Sequence, residues 1–247
     1  MRRGVIRFAF FGMLAMPRQP FKPYADRHPG GRVEIGTQAF SKRPELFALV
    51  GKCLIAWSHV EAEMALLLGQ ILGAPNAAAL AVFQTLRRSL AQRDAISEAA
   101  KASPLNEADQ KLLTAILAVH KAIEAERNAL AHGHLGIYTQ MEDGIVWMTT
   151  ADYIAFKSLI VLVGDRNFDE AKRNMLFSSL SYYRQPDLET ILEDIDDLGW
   201  IWSDLIRYLQ QERPQPRAQL YHQLCGRSRI AQELAKLRRE KPPASQS

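Results

Sequence analysis

Apolar residues recur at helical spacing in four long segments of the chain. The second segment is predicted over residues 76–102, the third from an Asn106 cap to a stop at Gly133, and the fourth from Pro186 to about Leu209. Apolar side chains three or four residues apart give a helix one face to bury. The chain is therefore predicted to be mainly α, with four long helices packed as an up-down bundle. The first segment runs from Pro44 to Gly73, with apolar positions at Leu46, Phe47, Val50, Leu54, Trp57, Met64, Leu67, Leu68 and Ile71.

A small β insertion is predicted between the third and fourth helices, at about residues 135–183. Residues 135–141 and 145–150 flank the turn Glu142-Asp143-Gly144, which is typical of a hairpin. Residues 175–183 are predicted to add a third short strand. The pattern of residues 151–173 fits a helix and a strand equally, and both interpretations stay open.

Segments on either side of this helical domain lack periodicity. Residues 1–43 are rich in Pro, Gly and Arg after residue 16 and are predicted to form an irregular basic extension. Residues 211–247 follow an Arg-Pro-Gln-Pro sequence and are predicted to be a basic, largely disordered tail with one short helix near 229–239. The helical domain is thus expected to span residues 44–210.

Charge is unevenly distributed along the chain, whose pI is about 9.1. Residues 1–43 carry nine Lys or Arg against two acids, and residues 211–247 carry eight against three, so these ends sum to +12. Fourteen basic and 22 acidic residues remain for 44–210, a balance of −8. Long-range attraction of nucleic acid is therefore expected at the termini rather than at the helical domain.

The N-terminal sequence and the number of cysteines indicate the cellular compartment of the protein. Residues 1–16 loosely resemble a signal peptide, but Arg7 interrupts their apolar run, and a start at Met13 or Met16 is an alternative. The two cysteines, Cys53 and Cys225, do not suggest a disulfide framework. No run of 18 uncharged apolar residues occurs. We expect a cytoplasmic protein.

The candidate chemistry lies in Arg127-Asn128-Ala129-Leu130-Ala131-His132-Gly133, at the end of the third helix. Arginine binds phosphate oxygens through a planar fork of donors, and histidine transfers protons near neutral pH. Asn128 and His132 share a helix face, and the long side chain of Arg127 is able to reach round to them. These three residues are therefore candidate catalytic groups for cleaving a phosphodiester. A second match to the same Arg-His spacing, Arg217 and His222, lies in the tail.

This third helix resembles the Arg-x(4–6)-His motif of HEPN domains, which are four-helix bundles found in many prokaryotic ribonuclease toxins and defence proteins. Trp57, Val60 and Glu61 are similar to a Trp-x-x-apolar-Glu stretch in the first helix of such proteins. The resemblance covers about residues 44–210. It implies a homodimer in which Arg and His of two protomers face each other and cut RNA without a metal, leaving 2′,3′-cyclic phosphate ends. Carried over, these roles fall on Arg127, Asn128 and His132. An antitoxin or regulator protein is an implied partner.

Other interpretations remain open at this stage. Many HEPN relatives are inactive binding or scaffold modules, so the same groove is also compatible with binding a protein or a nucleotide. Arg127 is also able to pair with Glu124 or a neighbouring helix, and Glu61 is able to orient the catalytic groups if its helix packs beside the third. His59 and Glu63 share a helix face, but their spacing does not define a metal site. We expect no metal and no cofactor.

Overall fold

The computed structural model describes residues 18–163 and 170–240, which form eleven helices and five strands. The strands are β1 (Gln19–Pro20), β2 (Val33–Ile35), β3 (His134–Tyr138), β4 (Gly144–Met148) and β5 (Ser181–Arg184). The helices are α1 (Lys22–Arg27), α2 (Thr37–Lys42), α3 (Pro44–Leu72), α4 (Asn76–Thr85), α5 (Ser89–Ala102), α6 (Glu107–His132), α7 (Thr150–Val163), α8 (Glu170–Ser179), α9 (Gln185–Gln210), α10 (Pro214–Gly226) and α11 (Ser228–Glu240). The prediction of a mainly helical protein with a small antiparallel sheet is confirmed. The signal-peptide-like residues 1–16 lie outside the described residues.

The chain divides into two compact units, of which the first comprises residues 1–39 and 134–187. Its described part holds an antiparallel sheet in the order β1-β5-β4-β3-β2. Helices α1, α7 and α8 contribute apolar side chains to a core that also includes one face of this sheet. That core contains Phe21, Tyr24, Tyr138, Met141, Val146, Met148, Phe156, Leu176, Phe177, Leu180 and Tyr182.

The second unit comprises residues 40–133 and 188–247. Helix α3 ends at Leu72, and the φ of +60° at the following Gly73 lies in the left-handed region that glycine adopts without steric cost. Helix α6 begins with a capping box, in which Asn106 and Asp109 satisfy each other's backbone N–H groups. The unit's core is built from helix faces, and its largest fully buried side chains include Trp57, Met64, Leu67, Ile96, Leu112, Ile116 and Trp202.

Two predicted elements differ from the observed ones. The second helix is not continuous over 76–102, because Leu86 and Arg88 leave the helical conformation and separate α4 from α5. The side chain of Gln92 donates to the carbonyl of Leu86, so this break is stabilised without Gly or Pro. The predicted third strand of the insertion is present as β5, but it begins at Ser181 rather than at residue 175, because α8 continues to Ser179. The undecided residues 151–173 are helical wherever the structure describes them, in α7 and α8.

The described parts of the terminal segments, residues 18–43 and 211–240, are more ordered than their composition suggests. Residues 18–43, expected to be irregular, supply both outer strands of the sheet, because β1 pairs with β5 and β2 pairs with β3. The tail expected to be largely disordered forms α10 and α11, and α11 packs against α6. A strict four-helix bundle is therefore not confirmed. The sequence pattern misses the strands because they are only two and three residues long.

Ion pairs join the described part of the basic tail to other helices of the same unit. Arg217 contacts Asp109 at 3.1 Å, Arg227 contacts Asp197 and also Asp204 (2.8 Å to the latter), and Arg229 contacts Asp194. Asp109 also accepts a hydrogen bond from Tyr208. Arg217, Arg227 and Arg229 are thus paired with acids of the same unit, and these three side chains are less available to an external polyanion than the pI suggests.

Replacing Arg227 with alanine is expected to weaken the attachment of α11 by about 1 kcal/mol, because Asp197 then loses its arginine and the largely buried Asp204 keeps only Arg207. Hydrogen exchange of residues 228–239 should become faster while exchange in α3 stays unchanged. Arg239→Ala, at an exposed position of the same helix, provides the control. Unchanged exchange in the Arg227→Ala variant would show that apolar packing alone holds α11.

Candidate functional site

Helix α6 positions all three predicted catalytic residues near its C-terminal end. The helix ends at His132, and Gly133 continues in an extended conformation with φ −77° and ψ 155°. The backbone N–H of Gly133 donates to the carbonyl of Ala129 and satisfies one carbonyl of the last turn. The predicted stop at Gly133 is confirmed. Its role is to let the chain pass directly into β3 rather than to adopt a left-handed turn.

The guanidinium of Arg127 is held in one orientation by three neighbours. Its Nη1 donates to Oδ1 of Asn128 at 2.9 Å, and its Nη2 lies 3.5 Å from Oε1 of Glu61 on α3. The guanidinium carbon also stands 5.1 Å from the ring centre of Trp57. Trp57 in turn donates its indole N–H to the same Glu61 oxygen at 2.9 Å. Glu61 therefore orients Arg127, and the Arg127 side chain is 22% exposed.

Asn128 links Arg127 to a second, more buried ion pair. Its amide nitrogen donates to Oε1 of Glu124 at 3.4 Å, and the other oxygen of Glu124 binds Arg93 on α5. Burial alone would raise the pKa of Glu124, but a hydrogen bond from Ser89 and the charge of Arg93 outweigh it and lower this pKa. The expected partner of Glu124, Arg127, is thus replaced by Arg93. A continuous polar network connects α3, α5 and α6.

His132 stands apart from this network. Its side chain is exposed, and no hydrogen bond or ion pair joins it to any residue in the described ranges. Five residues of helix separate it from Arg127, which corresponds to a rise of about 7.5 Å and a rotation of about 140°. Arg127 and Asn128 are therefore brought together as predicted, whereas His132 does not contact either of them within one chain.

Sequence reasoning missed a buried histidine in the same helix. His120 is 1% exposed, and its ring centre lies 5.0 Å from that of Trp57 and 6.0 Å from that of Trp202. Neither imidazole nitrogen has a hydrogen-bond partner among the residues described. Burial lowers the pKa of His120 to about 4. Its position, four residues after Ile116 and three before Ile123, is the periodic signal that places it on the buried face of α6.

The arginines of the second predicted helix separate into two kinds. Arg87 and Arg88 are exposed at the break between α4 and α5, whereas the side chain of Arg93 is 13% exposed and binds Glu124. Arg93 is therefore a structural ion-pair partner. Within residues 18–163 and 170–240, no three His, Cys, Asp or Glu side chains are arranged to hold a metal ion.

No protein-family model matches the chain, and neither a curated protein nor a solved structure matches it. The resemblance to HEPN domains thus rests on the motif residues themselves. Among the described helices, none is by itself both long and apolar enough to cross a membrane; only the bent pair of α3 and α4 reaches that length and composition when the two are taken together.

Proposed function

We propose that this protein is a metal-independent endoribonuclease of the HEPN type, acting as a cytoplasmic homodimer that leaves 2′,3′-cyclic phosphate ends. In this proposal α3, the broken α4–α5 segment, α6 and α9 correspond to the four helices of that family. The observation that carries the proposal is the end of α6, where an oriented guanidinium and an exposed imidazole lie on successive turns. An antitoxin or regulator protein is the further partner that the resemblance implies.

Each residue has a distinct role in the proposed reaction. Arg127 binds the scissile phosphate and stabilises the charge that develops on its oxygens, which is most effective when the donor is already fixed. Asn128 holds Arg127 in that orientation through its side-chain oxygen. His132 moves the proton of the attacking 2′-hydroxyl or of the leaving 5′-oxygen, for which an exposed imidazole is suited.

The separation of His132 from Arg127 supports a site completed by a second copy of the chain. Because no contact joins them within one protomer, RNA bound to Arg127 of one copy would receive its proton transfer from His132 of the other. This arrangement needs no metal, since the 2′-hydroxyl of RNA is itself the nucleophile. The dimer is thus part of the proposed mechanism.

A second function is favoured by one specific contact. Glu61 lies 3.5 Å from Arg127 and lowers the net positive charge that a phosphate would meet. The amide of Asn128 is already engaged by Glu124. A non-catalytic HEPN-like module, binding a protein or a nucleotide through this surface, would use the network for stability rather than for chemistry.

Replacing His132 with alanine is expected to reduce RNA cleavage at least about a hundredfold, because proton transfer by a positioned side chain contributes about 10² to 10⁴ in rate. A labelled single-stranded RNA is incubated with the purified protein in EDTA, and the product ends are analysed for cyclic phosphate. The fold should be unaffected because His132 is exposed.

The matched control is His222→Ala, which removes the exposed histidine of the second Arg-His match and should leave cleavage unchanged. Equal cleavage by wild type and His132→Ala would remove His132 from the mechanism. RNA that stays intact with wild-type protein over long incubation would favour the non-catalytic module.

A further inference from the structure

A shallow groove runs between α3 and α9, on the second unit and among residues that the proposed ribonuclease does not use. It has a volume of about 320 Å³. Trp200 is 63% exposed at its edge and is the most exposed aromatic side chain among the large hydrophobic residues described. The polar side chains of the lining come from both helices and are His59 and Glu63 on α3 and Asp196 and Ser203 on α9.

The two carboxylates of this groove lack the arginine partners that five other acids of the unit have. Asp194, Asp197, Asp204, Asp109 and Glu124 each pair with an arginine. Glu63 and Asp196, in contrast, have no cation within ion-pair distance in residues 18–163 and 170–240, and no Lys or Arg lines the groove there. The groove is therefore negatively charged without an internal counterion.

The tryptophans show the same difference. Arg127 lies over Trp57 at 5.1 Å, and Arg18 lies over Trp147 at 4.1 Å from the ring centre. Trp202 is fully buried. Trp200 has no cation over its ring among the described residues, although two carboxylates stand beside it. An aromatic face next to carboxylates is the environment that recognises a guanidinium or an ammonium group.

We propose that this groove is a docking site for an arginine- or lysine-bearing segment of a partner protein. The cationic head lies between Asp196 and Glu63, and its aliphatic stem packs on the ring of Trp200. Arginine fits better than lysine because its planar guanidinium stacks on an aromatic ring while it donates sideways to a carboxylate. Tryptophan is also among the side chains that most often dominate the binding energy of protein interfaces when a partner buries them.

The test uses the full-length chain, whose four tryptophans give four indole N–H signals in a ¹⁵N-correlated NMR spectrum. Trp200→Phe assigns one of them by its loss. Acetyl-Gly-Arg-Gly-amide is titrated at pH 7.5, with acetyl-Gly-Gln-Gly-amide as the uncharged control. We expect the arginine peptide to shift the Trp200 signal selectively, with a dissociation constant on the order of millimolar, because each contact is solvent-exposed and weak.

Asp196→Asn should weaken this binding about two- to fivefold, since one exposed ion pair is removed. High salt should weaken it as well. Glu98→Gln, which alters an exposed carboxylate of α5, should leave it unchanged. Three results would overturn the proposal: an equal shift by the glutamine peptide, no shift by the arginine peptide, or a shift that appears on concentrating the protein alone. The last result would identify a second copy of this chain as the occupant.

Discussion

A Glu124→Ala variant is expected to unfold with a free energy about 3–5 kcal/mol lower than that of the wild-type chain. The side chains of Glu124 and Arg93 are 11% and 13% exposed, so removing the carboxylate leaves a guanidinium largely out of water without its counterion. The amide of Asn128 loses its acceptor in the same step, which indirectly loosens Arg127. The free energy of unfolding is measured by urea denaturation at pH 7.

A matched control exists on α5, the helix that carries Arg93. Glu98 pairs with Lys101, but these side chains are 70% and 63% exposed. Glu98→Ala should therefore change the free energy of unfolding by less than about 0.5 kcal/mol. If Glu124→Ala is no more destabilising than Glu98→Ala, the Arg93–Glu124 pair contributes nothing beyond a surface ion pair.

Acidification from pH 6.5 to pH 4 is expected to remove about 3 kcal/mol of stability through His120 alone. Burial between Trp57 and Trp202 lowers the pKa of His120 from 6.5 to about 4. In this pH window the unfolded chain binds a proton that the folded chain does not, so falling pH favours unfolding. The contribution is fully present above pH 6.5 and lost at about pH 4.

The variant His120→Gln isolates this effect, because glutamine does not titrate. Its free energy of unfolding should vary less between pH 6.5 and 4 than that of wild type. Protonation of Glu124 also lowers the stability of the protein at acid pH, because the pKa of Glu124 is lowered in the folded state. This loss occurs in both wild type and His120→Gln. The free energy of unfolding of both proteins is measured by urea denaturation at several pH values. The same pH dependence of this free energy in wild type and His120→Gln would contradict the role of His120.

Helix boundaries were predictable where local signals were strong. The limits of α3 follow from Pro44 and Gly73, and α6 follows from the Asn106 cap and its apolar stripe. The break between α4 and α5 was not predictable, because its signal is a side-chain bond from Gln92 rather than a glycine or proline. Strands β1 and β2 were not predictable either, because segments of two and three residues are too short to show periodicity.

The site was predictable only as far as helix geometry reaches. The predicted reach of the Arg127 side chain is observed toward Asn128 but not toward His132. Glu61 was named as an orienting residue on the condition that α3 packs beside α6, and it contacts Arg127. The choice between Arg127 and Arg93 as the partner of Glu124 depends on tertiary packing. The folding of α10 and α11 also depends on tertiary packing. In the sequence their arginines resemble those of a solvated tail, and only the fold places Asp109, Asp194 and Asp204 beside them.

Pairing of β1 with β5 has a consequence for the order in which the chain acquires its structure. Gln19 lies opposite Tyr182, so this edge of the sheet cannot form on the ribosome until residue 184 has emerged from it. Non-local pairing of this kind slows folding, because a long loop must close before its contacts form. Until β5 has emerged, β1 has no strand to pair with and β4 pairs only with β3, so the first unit is completed late.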